Sequence, residues 1–231
     1  RTRDLTRFIP GQCAIGVVEE GNAQLSKGQR VYFDAYAGSR DPADPATDHG
    51  FLGCFAVGEA ALPMMRAWPD GSFAELIHAP ATCFTPLPEH LAVAPELLCR
   101  LGWLGTACHG LERGGFTAGM RIAINGATGI VGASAVVLAL ALGAAEIVIF
   151  GRREDRLSEL AALDPARVRV GHVEEGLRYD LVLDCAAGPD SGTSAALIAR
   201  LRRFGRAVFV GGLSEPISLD SAALMRNSNT V

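Results

Sequence analysis

Residues 120–156, MRIAINGATGIVGASAVVLALALGAAEIVIFGRREDR, decide the fold. Ile122-Ala123-Ile124 is a short apolar run ending at Asn125, and Gly126, Gly129 and Gly132 follow at three-residue spacing. An apolar helix then runs to Gly143, a second apolar run covers Ile147 to Phe150, and Gly151-Arg152-Arg153 closes the stretch. Strand, glycine turn, helix, strand is the pattern in which glycines allow a tight turn, close approach to a pyrophosphate and tight helix–sheet packing. The helix N-terminus then faces the anion. The stretch predicts half of a dinucleotide-binding sheet.

Downstream, the same alternation continues. A short helix spans Arg153 to Leu163, and strands follow at Val168–Val170 and Tyr179–Asp184, the latter ending in Cys185-Ala186-Ala187-Gly188. A helix over Ser191 to Arg203 and a strand over Ala207 to Val210, closed by Gly211-Gly212, complete the pattern. Strands alternating with helices indicate a parallel, doubly wound α/β sheet, a Rossmann-type arrangement with ligands at the carboxyl ends of the strands. Upstream, the texture is β. Ala14–Val18, Arg30–Phe33, Phe73–His78 and Cys83-Phe84 read as strands, and residues 34–70 read as a long excursion with one short helix near Gly58–Met65. Helical spacing of Leu97, Leu98, Leu101 and Leu104 begins after Pro95 and ends at Gly114-Gly115. The expected domains are residues 1–95, β-rich, and 96–231, dinucleotide-binding.

Composition narrows the function. With 49% hydrophobic and 20% charged residues the chain is a folded globular protein. A formal charge of −4 gives no electrostatic case for nucleic acid or an anionic membrane surface. The uncharged stretch 126–145 has transmembrane length, but its glycines limit the helix to about 13 residues, or about 20 Å, short of a ~30 Å hydrocarbon core. The expected partner is therefore a small-molecule substrate. The six cysteines (Cys13, Cys54, Cys83, Cys99, Cys108 and Cys185) form no CxxC pair, sit among apolar neighbours and read as buried free thiols of a cytoplasmic protein.

The end of the second strand bears on the cofactor. An acidic residue there would hold the ribose hydroxyls of NAD; this chain has Gly151 followed by Arg152, Arg153 and Arg156. Clustered guanidinium groups suit a 2′-phosphate, so NADP(H) is expected. The short-chain dehydrogenase motif Tyr-x-x-x-Lys cannot occur here, because Lys27 is the only lysine.

The order of features resembles the medium-chain dehydrogenase/reductase superfamily, the alcohol dehydrogenase and quinone oxidoreductase relatives. PGQCAIGVVEEGN (10–22) is similar to the family's proline-glycine-His-Glu stretch, LSKGQRVYF to its Gly-Asp-Arg-Val strand, and DGSFAELIHAP to its Gly-x-x-Ala-Glu-Tyr strand. LGTACHGL, YDLVLDCAAG and GRAVFVGG match in the same order. The resemblance implies a GroES-like catalytic domain before the Rossmann domain and a homodimer. It also implies that the sequence is incomplete at both ends, the opening RTRDL standing for an Asn-Tyr-Arg-Asp stretch with Thr2 at the tyrosine position.

Zinc is not expected. Gln12 and Cys13 stand where zinc-dependent members carry His and Glu, Trp103 or a neighbour where they carry Cys, and only Cys54 lies in the segment of the structural-zinc lobe. A catalytic Zn²⁺ takes about three protein ligands; Cys13, His49, Cys54 and His78 are the candidates for a makeshift site. The implied function is NADPH-dependent hydride transfer to or from a small carbonyl, quinone or α,β-unsaturated substrate. Asn125, Gly126, Ala127, Thr128, Gly129, Ile130 and Val131 would cradle the pyrophosphate, with Gly151, Arg152, Arg153 and Arg156 at the 2′-phosphate. Cys185, Ala186, Gly211 and Gly212 would line the cofactor path, with Thr106 near the nicotinamide. His109 is a candidate proton relay or a structural helix residue, and no catalytic group is assigned. The alternatives are a zinc-dependent alcohol dehydrogenase and a non-catalytic NADPH-binding regulatory protein.

Overall fold

The structure is a computed structural model describing residues 7–38, 49–173, 176–189 and 191–231. The RTRDL opening, and Thr2 with it, lies outside the described residues. The chain divides into two compact units, Arg1–Gly102 and Trp103–Val231, a division that falls within a helix rather than at residue 95.

In the first unit β1 (Cys13–Val17) and β2 (Arg30–Asp34) form an antiparallel hairpin with Cys13 opposite Asp34 and Val17 opposite Arg30. Asn22 shapes the connection by accepting the amides of Gln24 and Leu25 on its side-chain oxygen. Within residues 34–70, expected to be irregular, three very short strands pair antiparallel: β3 (Tyr36–Ala37), β4 (His49–Phe51) and β5 (Phe55–Val57). Their cross-strand aromatic pairs, Tyr36–Phe51 and Phe51–Phe55, have ring centroids 5.8 and 5.2 Å apart. Ala37, Leu52 and Ala56 are buried with Phe33 and Met65. Next come α1 (Leu62–Ala67), β6 (Phe84–Pro86), which pairs with β2, α2 (Pro95–Leu98) and α3 (Leu101–Arg113).

One expected strand does not form. In Phe73–His78 only the leading edge is tied down. The amides of Gly71, Ser72 and Phe73 donate to the carbonyls of Ile9, Gly11 and Pro10, after which the chain bends. The alternation has no buried face to satisfy, since Phe73 and Leu76 are each 76% exposed.

The second unit is a five-stranded sheet with every described pair parallel. In chain order its elements are β7 (Arg121–Asn125), α4 (Ile130–Ala141), β8 (Glu146–Phe150), α5 (Glu154–Ala161), β9 (Val168–Val170), β10 (Tyr179–Asp184), α6 (Gly192–Ile198), β11 (Leu201–Phe209) and α7 (Ser221–Arg226). The spatial order β11-β10-β7-β8-β9 reverses between β7 and β10, which makes their carboxyl ends the crevice of a doubly wound sheet. Alternate strand residues face opposite layers. Ile122, Ile124, Ile147, Ile149, Leu181 and Leu183 pack with Ala107 and Leu111 of α3, Ala135 of α4 and Leu157 of α5. Ala123, Val148, Tyr179 and Val182 pack with Leu197 and Ile198 of α6. The sheet is thus sandwiched by helices, the α/β class expected. No helix among the described residues is long and apolar enough to cross a membrane; α4 has 12 residues.

The helix expected over 191–203 stops at Ile198, and β11 starts at Leu201, not Ala207. Leu201 already pairs with Tyr179, and Arg202 forms an ion pair with Asp180 at 2.9 Å. These contacts draw the arginine-rich segment into the sheet edge. The register then slips between Tyr179 and Leu181, and within the slip Phe204 is held at φ 65 while 66% exposed. A left-handed conformation costs a residue with a Cβ about 1–2 kcal/mol. The ring offers little in return beyond a contact with Arg203 at 4.9 Å. Phe204→Gly is therefore expected to stabilise the chain by about 0.5–1 kcal/mol, read as a thermal midpoint about 1–4 °C higher. Beyond α7, Thr230 bridges in parallel to Arg206 on the outer side of β11.

Candidate functional site

The turn after β7 is built by contact, not only by flexibility. Gly126 has φ 70, and a Cβ there would lie 2.7 Å from the Ala186 nitrogen and 2.8 Å from the Cys185 carbonyl carbon. A Cβ on Gly132 would meet the Gly126 carbonyl and sit 2.7 Å from Ala127 Cα, so the first turn of α4 rests directly on the loop. Gly129 differs. Its Cβ would meet only the Gly126 carbonyl oxygen, at 3.3 Å, leaving open the approach to the start of α4. No side chain caps that helix, and its first described internal bond runs from Ala133 N–H to the Gly129 carbonyl at 2.9 Å. The amides of Ile130, Val131 and Gly132 thus head the helix without intrahelical acceptors, the arrangement that suits an anion.

Beneath the turn lies a buried polar group, of which the sequence singled out Asn125 alone. Asn125, Asp184 and Ser194 are 5%, 1% and 0% exposed. The Asn125 amide nitrogen lies 3.2 Å from Ser194 Oγ and 3.4 Å from each Asp184 carboxylate oxygen. Asn125 was expected to face the cofactor; its side chain is spent inside the protein. Beside it the Cys185 thiol is pushed up to about 12 by its burial and then by the Asp184 carboxylate, which keeps it protonated.

The ends of β8 and β10 meet this turn, and the end of β11 meets the loop after β10. The Ala127 amide donates to the Phe150 carbonyl at 2.9 Å, tying the loop to β8. A Cβ on Gly151 would sit 2.9 Å from Thr128 Cγ2 and 3.1 Å from its Oγ1, so a side chain at 151 would press on Thr128. On the β11 side the amides of Val210 and Gly211 both donate to the Asp184 carbonyl, at 2.8 and 2.9 Å. A Cβ on Gly211 would run into the Ala186 carbonyl group, whereas Gly212 is open.

The three arginines, equivalent in the sequence, take different places. Arg153 donates to the Thr128 carbonyl at 2.9 Å, and Arg156 turns to Glu159 one helical turn on, at 2.8 Å. Arg152 is exposed and has no hydrogen-bonding or ionic partner among the described residues. The structure therefore brings together Asn125–Val131, Gly151 to Arg153, Cys185-Ala186 and Gly211-Gly212. Arg156 is drawn to Glu159. Thr106 is an exposed residue of α3, before the buried Ala107, and His109, on the same helix, lies 3.7 Å from Glu112.

In the first unit, the Tyr32 hydroxyl donates to Cys13 Sγ at 3.1 Å. Burial raises the pKa of both groups, so both remain protonated at neutral pH. His49 lies beside the Tyr36 ring at 5.3 Å. Cys54 is exposed, against the expectation of burial, because it sits in the turn between β4 and β5; Cys83 is buried, and the other cysteines are partly buried and free. Among the described residues no three His, Cys, Asp or Glu side chains are grouped to hold a metal ion.

No protein-family model and no curated protein sequence matches the chain. Solved structures do. The chain is similar to the alcohol dehydrogenase TADH from Thermus sp. ATN1, with a TM-score of 0.77 and 24% identity over 96% of this chain and 67% of that one. A putative zinc-binding dehydrogenase from Sinorhizobium meliloti 1021 bound to NADP gives 0.75 and 20%, covering 94% and 65%. A protein described as a short chain alcohol dehydrogenase from Escherichia coli CFT073, in complex with NADH, gives 0.75 and 19%, covering 94% and 64%. The chain thus spans about two thirds of the length of the dehydrogenases it matches. The likeness is one of fold: a β-rich unit followed by the parallel β11-β10-β7-β8-β9 sheet gives this chain the fold of these dehydrogenase structures.

Proposed function

We propose that the chain belongs to an NADP(H)-dependent oxidoreductase, a cytoplasmic homodimer, that transfers hydride between the nicotinamide and a small carbonyl, quinone or α,β-unsaturated substrate without zinc. The observation that carries the cofactor preference is the end of β8. Gly151 stands where a carboxylate would, with Thr128 against its Cβ position, and the next residue, Arg152, is exposed with no hydrogen-bonding or ionic partner among the described residues. The neighbours bound to NADP and to NADH support a nicotinamide cofactor in general.

Bound there, the cofactor supplies the hydride chemistry. The Ile130–Gly132 amides receive the pyrophosphate at the head of α4, Gly129 admits it closely, and Arg152 donates to the 2′-phosphate. Arg153 props the Thr128 carbonyl and holds the two loops at a fixed spacing. The β-rich unit supplies the substrate surface. The reading without zinc is supported by the donor set: the Cys13 sulfur accepts the Tyr32 hydroxyl, and Gln12 replaces an imidazole.

Titration of the chain with NADPH and NADH, followed by nicotinamide fluorescence, is expected to give at least about tenfold tighter NADPH binding, a difference of about 1.4 kcal/mol. Tighter NADH binding would overturn the cofactor assignment. Turnover of a quinone, enal and ketone panel by metal-free protein tests the rest. Activity that appears only with stoichiometric zinc selects the alcohol dehydrogenase alternative, and tight NADPH binding with no turnover selects the regulatory one.

A further inference from the structure

Asn125 and Asp184 are register partners at the ends of the neighbouring parallel strands β7 and β10. Each also uses a side-chain oxygen on an amide of the loop that follows it: Asn125 Oδ1 accepts Gly126 N–H at 3.0 Å, and Asp184 Oδ1, shared with the Asn125 amide, accepts Ala186 N–H at 2.9 Å. Those two loops touch, since the face of Gly126 lies against the Cys185-Ala186 backbone. Ser194 of α6 fixes the orientation of the Asn125 amide by taking its nitrogen, which directs the oxygen at Gly126. Burying an amide beside a carboxylate costs free energy unless both are hydrogen-bonded, and an apolar pair could fill the same space more cheaply. An apolar pair could not hold two loop amides.

We propose that the Asn125–Asp184 pair, oriented by Ser194, is a positioning device that locks the glycine turn against the 185–188 loop before the cofactor arrives. This rests on the dinucleotide reading above. Both are positioning residues: they act through the Gly126 and Ala186 amides and present no free atom to the ligand. Pre-setting the turn removes an ordering cost from binding, so the pair contributes to affinity without contact.

The test exchanges the two groups. Asn125→Asp alone sets two carboxylates face to face, and Asp184→Asn alone sets two amides face to face. The double variant moves the carboxylate to β7, where it accepts from Gly126 N–H and the Ser194 hydroxyl. Its amide partner on β10 donates to that carboxylate and accepts from Ala186 N–H, so every bond has a counterpart. NADPH Kd, the thermal midpoint and hydrogen exchange at the Gly126 and Ala186 amides are measured on the whole chain. Each single variant is expected to raise Kd about tenfold or more and to speed exchange at both amides, with the double variant returning to within about threefold of the original. Folded single variants with unchanged Kd, or additive losses in the double, overturn the assignment. Should the single variants fail to fold, a folded double variant decides: restored affinity and protection support the device, raised Kd with restored protection overturns it. If the unsubstituted chain binds neither NADPH nor NADH, the dinucleotide reading itself falls, and the assignment with it. That outcome is recognisable without any variant.

Discussion

Gly211→Ala is expected to destabilise the chain by about 3 kcal/mol or more, a fall in thermal midpoint of about 6–12 °C. The added methyl would meet backbone rather than the end of a flexible side chain: the Ala186 carbonyl, and at 2.7 Å the Cys185 carbonyl carbon. Neither can yield alone. Cys185 is anchored by its own amide to the Asn125 carbonyl at 2.9 Å and Ala186 by its amide to the Asp184 side chain, while Gly211 is anchored to the Asp184 carbonyl. Relieving the clash therefore breaks bonds on both sides of β10 and disturbs the contact with Gly126. Cofactor affinity should fall together with stability. Gly212→Ala is the control: nothing lies within 4 Å of its Cβ position and its φ is not in the left-handed region, so its effect should stay within about 0.5 kcal/mol. Similar losses at both positions would mean that the close approach of the β10 and β11 loops is not a determinant of stability. Urea denaturation of the two variants measures the difference.

The adjacent glycines show what a sequence can and cannot carry. Both could be read as lining residues at a strand end; only the fold separates the one packed on its neighbour's backbone from the one open to solvent. The strand–turn–helix–strand core was legible because its apolar runs are buried on both faces, as Ile122–Ile124 and Ile147–Ile149 are. The first residues of those strands were not, because Arg121 and Glu146 enter the sheet as an ion pair that Arg169 extends. The β3–β4–β5 sheet was missed for another reason: strands of two or three residues leave no period to detect, and the signal was the cross-strand aromatic set Tyr36, Phe51 and Phe55. Phe73–His78 failed in the opposite sense, with a strand-like composition but no buried face. Asp184 was hidden by habit. A carboxylate closing an apolar run reads as the point where the chain meets water, and only the pairing of β7 with β10 reveals that it meets Asn125.

Arg152→Asp is expected to raise the NADPH Kd about 100-fold while leaving NADH within about threefold. A hydrogen bond to a charged group contributes about 1.5–3 kcal/mol, roughly a 10–150-fold effect, and the new carboxylate adds repulsion toward a phosphate dianion. NADH carries no 2′-phosphate and should register neither term. The neighbouring arginines supply the contrast. Arg156→Ala removes an exposed pair with Glu159, 2.8 Å away, and such pairs contribute at most about 1 kcal/mol; both affinities should barely move. Arg153→Ala releases the Thr128 carbonyl and loosens the spacing between the glycine turn and the end of β8. It should weaken NADPH and NADH alike, because on the proposed reading that turn would face the pyrophosphate common to both. The three substitutions thus predict three distinct patterns in one titration series: a selective loss, no loss and a shared loss. Equal losses of NADPH and NADH at Arg152, or discrimination carried by Arg156, would sink the assignment of Arg152 to the 2′-phosphate. The reciprocal change confronts Thr128: Gly151→Asp alone should destabilise, because its Cβ would lie 2.9 Å from Thr128 Cγ2. Only with Thr128→Ala should it bring NADH affinity up, since the carboxylate then has room to reach the ribose hydroxyls.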